Sequence, residues 1–202
     1  MGISPYLELR KHLFTQFLIT YLFYISKFFG PAAAGFYTLG NTVLGIPTQL
    51  IGKSVADVFY PRIAEASNNG ENLTKLILKA TTALAVVGIV PFGMIVSFGP
   101  WLFSFVFGEE WIVAGEYARW LALWSFIAFI TRPITKVVLV LNLQAQQLFY
   151  EIIIVFVRAV VLFIGFYYYN SDIYAILFFS LATSGLKMLF FLYVLKKSRK
   201  FT

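Results

Sequence analysis

Cysteine is absent from the 202 residues and histidine occurs once. No disulfide framework and no thiolate metal site can be built, and His12, alone in a basic flank, assembles no ligand cluster. Charge is scarce as well: Asp, Glu, Lys and Arg make up 12% of the chain, against about 25% in an ordinary soluble domain. Acid is the scarcer sign, 9 residues against 16 basic ones. There is no GxSxG, no HExxH, no glycine-rich loop closed by lysine, and no acid pair in a polar setting. The expectation is a protein that is not an enzyme and carries no cofactor and no metal. Strict alternation over ~10-residue segments, which a membrane barrel requires, is missing too.

What fills the chain instead is long apolar runs. Sixty per cent of the residues are hydrophobic, more than a soluble chain of this size can hide, since it still exposes roughly a third of its unfolded surface. The runs are about 20 residues long, enough to cross a hydrocarbon core as helices. The sequence therefore predicts an all-α, polytopic membrane protein with six transmembrane helices, over about 13–29, 32–58, 76–98, 112–141, 148–168 and 173–195. Gly30-Pro31 and Gly99-Pro100 are expected to end spans, Gly88 and Pro91 to bend the third, and Trp101 to Phe107 to lie in the headgroup interface.

The net charge of +7 sits at span ends and forms no contiguous basic face, so membrane topology accounts for it and no nucleic-acid partner is expected. Lys53, Arg62, Lys75 and Lys79 follow the second span, and KKSRK follows the sixth. With basic residues on the cytoplasmic side, both termini are placed there: residues 1–12 as a flank, 196–202 as a basic tail.

The stretch AGFYTLGNTVLGIPTQLIGKSVADVFYPRIAE, followed some thirty residues on by FGPWLFSFVFGEEWIVAGEYARWL, resembles the C-terminal half of bacterial polysaccharide-biosynthesis membrane proteins. These are the O-antigen and capsule flippases of the multidrug, oligosaccharidyl-lipid and polysaccharide exporter superfamily. The resemblance implies one six-helix lobe of a two-lobed exporter in the bacterial inner membrane. It also implies alternating access, with undecaprenyl-pyrophosphate-linked oligosaccharide as substrate and membrane lipid around the tail. One lobe has nothing to rock against. The expected partner is an N-terminal lobe, in the same polypeptide if this chain is a fragment, or a second copy. Two alternatives stand beside this reading: a drug or other lipid exporter of the same superfamily, and a non-transporting scaffold for envelope biosynthesis.

Charges at membrane depth are the candidates for chemistry. Arg132 and Arg158 lie midway along their spans, where a cation must face a cavity or a carboxylate. One reading has Arg132, Arg158 and Lys136 hold the substrate pyrophosphate, which the planar guanidinium fork suits. The other pairs the arginines internally, with Glu151 two turns before Arg158 and with Asp57 on the second span. Asp57 also has a reading as an ion-coupling carboxylate, against a salt bridge to Arg62. Lys53 and Lys187 are expected to snorkel. Gly35, Gly40, Gly45 and Gly52 are read as helix-packing positions, and Gln16, Asn41, Thr42 and Gln49 as interhelical hydrogen-bonders.

Overall fold

Helix boundaries fall where glycine, proline and asparagine dictate them. The structure, a computed structural model, describes residues 22–199, with some side chains inside the second and fifth helices excepted. The expected flank 1–12, the start of the first span and residues 200–202 lie outside the described residues. The first described helix, α1, covers residues 22–29. Gly30 ends it at φ +90°, a conformation open to glycine, and Pro31 opens α2, Pro31–Asn68. The Asn72 side chain accepts from the Lys75 N–H at 2.9 Å and so caps α3, Leu73–Phe107. Gly108, at φ +107°, closes α3 before a short 3-10 turn, Glu109–Trp111. Then come α4, Ile112–Ile130, α5, Pro133–Val140, α6, Gln144–Tyr169, and α7, Asp172–Ser198. Asn170, left-handed at φ +45°, makes the turn between the last two.

Three of these helices, α3, α6 and α7, are long and apolar enough to cross a membrane, and a fourth crossing results if α4 and α5 count as one bent span. The described residues thus carry three or four such helices rather than six. The physical reason lies in the first two expected spans. Much of the first falls on residues 13–21. The second is helical, but Thr38, Asn41, Thr42, Thr48, Gln49, Lys53 and Asp57 dilute its hydrophobicity.

The expected breaks also shift. Gly99-Pro100 does not end a helix: α3 runs through Pro91 and Pro100 for 35 residues, about 52 Å at 1.5 Å each, and Trp101 to Phe107 are its last turns. The break falls instead at Thr131-Arg132, where α4 and α5 meet at 46°. Pro133 has no N–H, and the Phe129 carbonyl is taken by the Arg132 N–H at 3.2 Å.

α4 is the central helix, packed against α2, α3 and α7, and α6 lies outside against α7. Two apolar clusters result. One joins Tyr37 and Leu44 of α2, Leu84 and Phe92 of α3, Leu121 and Phe129 of α4 and Phe179 of α7. The other gathers Ile63, Leu73, Ile77, Val137, Val138 and Val194, where α2, α3, α5 and α7 converge. Backbones cross closely at small residues. A Cβ on Gly115 would lie 2.5 Å from the Gly99 carbonyl oxygen of α3, and one on Gly165 would lie 2.5 Å from the Ala175 Cα of α7. Of the expected packing glycines, Gly40 meets the α4 backbone at Ala114 and Ala118, while Gly35 has nothing within 4 Å and Gly45 meets its own helix at Gln49.

Candidate functional site

Along α6, Gln147, Ile154, Arg158, Leu162 and Gly165 recur at helical spacing and are buried. That register turns Arg158 inward, to 5% exposure. Its Nε donates to Thr183 Oγ1 of α7 at 3.1 Å. The guanidinium carbon lies 4.8 Å from the Phe179 ring centre and 5.4 Å from that of Trp124. Tyr37 of α2 and Trp124 both approach Phe179 edge-on, at 6.5 and 6.3 Å. Arg158 therefore sits between aromatic rings of α4 and α7, with Tyr37 of α2 backing the Phe179 ring. A desolvated cation over aromatic faces is stabilised there by about 2 kcal/mol.

Hydrogen bonds fasten α4 to α7 around these rings. Ser180 Oγ donates to the Trp120 carbonyl at 2.6 Å and accepts from the Trp124 N–H at 3.2 Å, bridging one turn of α4. The Tyr117 hydroxyl donates to the Asp172 carboxylate, which also accepts from the Ile173 N–H at the start of α7.

Glu151 does not pair with Arg158. It lies two turns away, about 10.5 Å along the axis, and makes no ion pair among the described residues. It lines a polar cavity of about 50 Å³ with Thr131, Thr135, Gln147, Tyr150 and Lys187, beside the α4–α5 break. One water needs about 10–15 Å³ of such space, so the cavity can hold water. Neither Arg132 nor Arg158 lines this cavity.

Arg132 is half-buried at the break itself, and its guanidinium makes no hydrogen bond or ion pair among the described residues. The side chains of Asp57 and Lys136 lie outside the described ones, so the structure places them only on α2 and α5. The expected residues are therefore not gathered at one point. Arg158 is in the helix interface, Arg132 at the break and Glu151 in the cavity. Lys187, expected to snorkel, lines the cavity wall, and nothing in the sequence pattern singles out Gln147, Tyr150, Trp124, Phe179 or Thr183. The signal available for the cavity was the spacing of Gln147 and Glu151, four residues apart and so on one face of α6.

The exposed faces at membrane depth differ in kind. On α3, Val86, Val87, Ile89, Val90, Met94 and Phe98 point outward, and on α6 Phe149, Ile152, Phe156, Val160 and Phe163 do so. On α2 the outward face is mixed: Gly35, Thr38, Thr42 and Gln49 share it with the exposed Ile46 and Leu50. The Thr38 and Thr42 hydroxyls donate to the carbonyls of Ala34 and Thr38, at 2.7 and 2.8 Å. Each hydroxyl oxygen keeps acceptor capacity beyond the bond it donates, and nothing lies within 4 Å of a Cβ at Gly35.

A family model described as "Polysaccharide biosynthesis protein" matches residues 3–116. Teichuronic acid biosynthesis protein TuaB of Bacillus subtilis (strain 168) is similar, 28% identical over 115 residues, which cover 57% of this chain and 24% of TuaB. The chain thus spans about a quarter of the length of the curated relative it matches. No solved structure matches it. The family match includes α2 and α3 and ends near the start of α4, so Arg132, Glu151 and Arg158 lie beyond it.

Proposed function

Since this chain belongs to the polysaccharide biosynthesis protein family, we propose that it is one lobe of a membrane transporter for an undecaprenyl-pyrophosphate-linked oligosaccharide used in surface-polysaccharide assembly. The single observation that supports this reading best is the run of polar residues on the outward face of α2, interrupted there by Ile46 and Leu50. A surface bearing Thr38, Thr42 and Gln49 is a poor neighbour for acyl chains, which offer no hydrogen bonds, and a good wall for a wet passage. The middle stretches of α3 and α6 are mainly apolar outside, with Thr82 and Ser97 the polar exceptions on α3, and suit lipid.

In this proposal the lobe works by alternating access against a second lobe, without enzymatic chemistry, in the bacterial plasma membrane with both termini cytoplasmic. Arg132, half-buried and without a partner among the described residues, contacts the pyrophosphate when the passage opens. Arg158 acts indirectly, holding α6 to α4 and α7. Glu151 and the polar cavity serve ion coupling, because a carboxylate at membrane depth can exchange a cation with the gradient. The relative's name, teichuronic acid biosynthesis, points to an envelope glycan as the product.

The test uses the absence of cysteine. Thr38→Cys and Thr42→Cys, each in the full protein in its native membrane, are expected to react with a membrane-impermeant maleimide. Val90→Cys and Phe156→Cys are expected to stay unlabelled, and Arg132→Gln to lose glycan export while the protein still reaches the membrane. Equal protection of all four cysteines would sink the passage along α2.

A further inference from the structure

The first turn of α3 and the last turn of α7 are pinned together. Thr74 Oγ1 and Ser198 Oγ lie 2.7 Å apart, both buried, across 124 residues of sequence. Ser198 Oγ donates to the Leu195 carbonyl at 2.9 Å, so the Thr74 hydroxyl is the donor between the two. Around this pin the apolar side chains Leu73, Ile77, Val194 and Leu195 close the end of the bundle.

The consequence is electrostatic. Lys75 and Lys79, one turn apart on one exposed face of α3, are brought to the same end as Lys196, Lys197 and Arg199, all exposed on or just past the last turn of α7. The acids nearest in sequence are already engaged: Arg62 holds Glu71 through both guanidinium nitrogens, one at 3.0 Å, and Glu65 at 3.3 Å. None of the five cations makes an ion pair among the described residues. Directly along the same two helices the surface turns apolar, with Leu78 of α3 and Leu189 and Leu192 of α7 exposed.

We propose that this rim binds the phosphate headgroups of anionic phospholipids in the leaflet at that end, and so ties α3 and α7 to the membrane as one unit. Charge complementarity selects the anion. The exposed Leu192 and Leu189, one and two turns along α7 from Lys196, with Leu78 between the two lysines of α3, select a lipid over a free phosphate. Span-end cations are general in membrane proteins. What is particular here is a buried side-chain bond that brings two remote basic segments to one end of the bundle, where the neighbouring acids Glu65 and Glu71 are already paired with Arg62.

The experiment is a lipid titration on the purified full protein in detergent, read as a shift in melting temperature and by native mass spectrometry. Phosphatidylglycerol or cardiolipin is expected to bind and raise the melting temperature, and phosphatidylcholine and inorganic pyrophosphate are not. Lys75→Gln with Lys79→Gln, and separately Lys196→Gln with Lys197→Gln, should each weaken anionic-lipid binding roughly tenfold. Lys27→Gln, beside Phe28, which stacks on Phe166 near the far end of α6, should leave it unchanged. If a double variant does not fold, raising salt toward ~1 M on the unaltered protein should weaken the lipid effect by screening the rim. Equal binding of phosphatidylcholine, unchanged affinity in both double variants or insensitivity to salt would each overturn the proposal. Stabilisation by pyrophosphate with no lipid preference would reassign the rim to a free phosphate.

Discussion

Arg158 is the costliest side chain the interior accommodates, a cation at 5% exposure near the middle of an apolar helix. Its charge is offset by geometry: two aromatic faces and the Thr183 hydroxyl each use a different part of a planar group. A lysine there would keep the charge and lose the plane. Arg158→Lys is therefore expected to lower stability by about 2–3 kcal/mol, seen as a lower melting temperature in detergent. Unchanged melting with lost export would instead make Arg158 a substrate contact. At the α2–α3 connection, the hydrogen bond from Arg62 holds the Glu71 carboxyl below its ordinary range. A depressed folded value means the stabilisation is complete above the ordinary glutamate value of about 4.3. It is lost as pH falls through the lowered one. Protection of the amides in residues 69–72, relative to the intrinsic exchange rate at each pH, should accordingly hold from neutral pH down to about that ordinary value and fall progressively in stronger acid. Glu71→Gln should show the faster exchange at neutral pH, with the difference vanishing in strong acid.

At the scale of helices, glycine and proline matter by what lies opposite them. Gly115 faces the backbone of α3, where no side chain can swing aside, so Gly115→Ala is expected to cost ~1–3 kcal/mol in unfolding measurements. Gly35 faces open space, and Gly35→Ala should be neutral or stabilising by up to about 1 kcal/mol. Both glycines look alike in sequence. The proline pattern carries the same lesson. Pro91 and Pro100 are absorbed into α3, whereas Pro133 coincides with a bend of 46°. A missing N–H is a local property, but whether the helix continues depends on packing on both sides of it. At Pro100 the neighbouring α4 backbone presses against the turn, and at Pro133 α5 turns away into a second apolar cluster. The helices themselves were legible from the apolar runs, and Gly30-Pro31 marked a real boundary because φ preferences act on single residues.

For the molecule as a whole, the central position of α4 and the peripheral one of α6 were not legible, since composition makes them equally apolar. Nor was the sorting of outward faces. The polar stripe of α2 could be listed as residues, but only packing shows that Thr38 and Thr42 point away from the lobe while Tyr37 and Leu44 point in. The candidate site follows the same division. Membrane residence, helical class and family follow from the sequence by itself, because apolar length, the scarcity of charge and the order of residues in the matched stretch are one-dimensional properties. Which cation is enclosed, which remains unpaired and which lysines share a rim were decided by tertiary structure alone. Those outcomes depend on crossings between helices far apart in sequence, such as Arg158 on Trp124 and Thr74 on Ser198. No spacing along the chain encodes the distance between them.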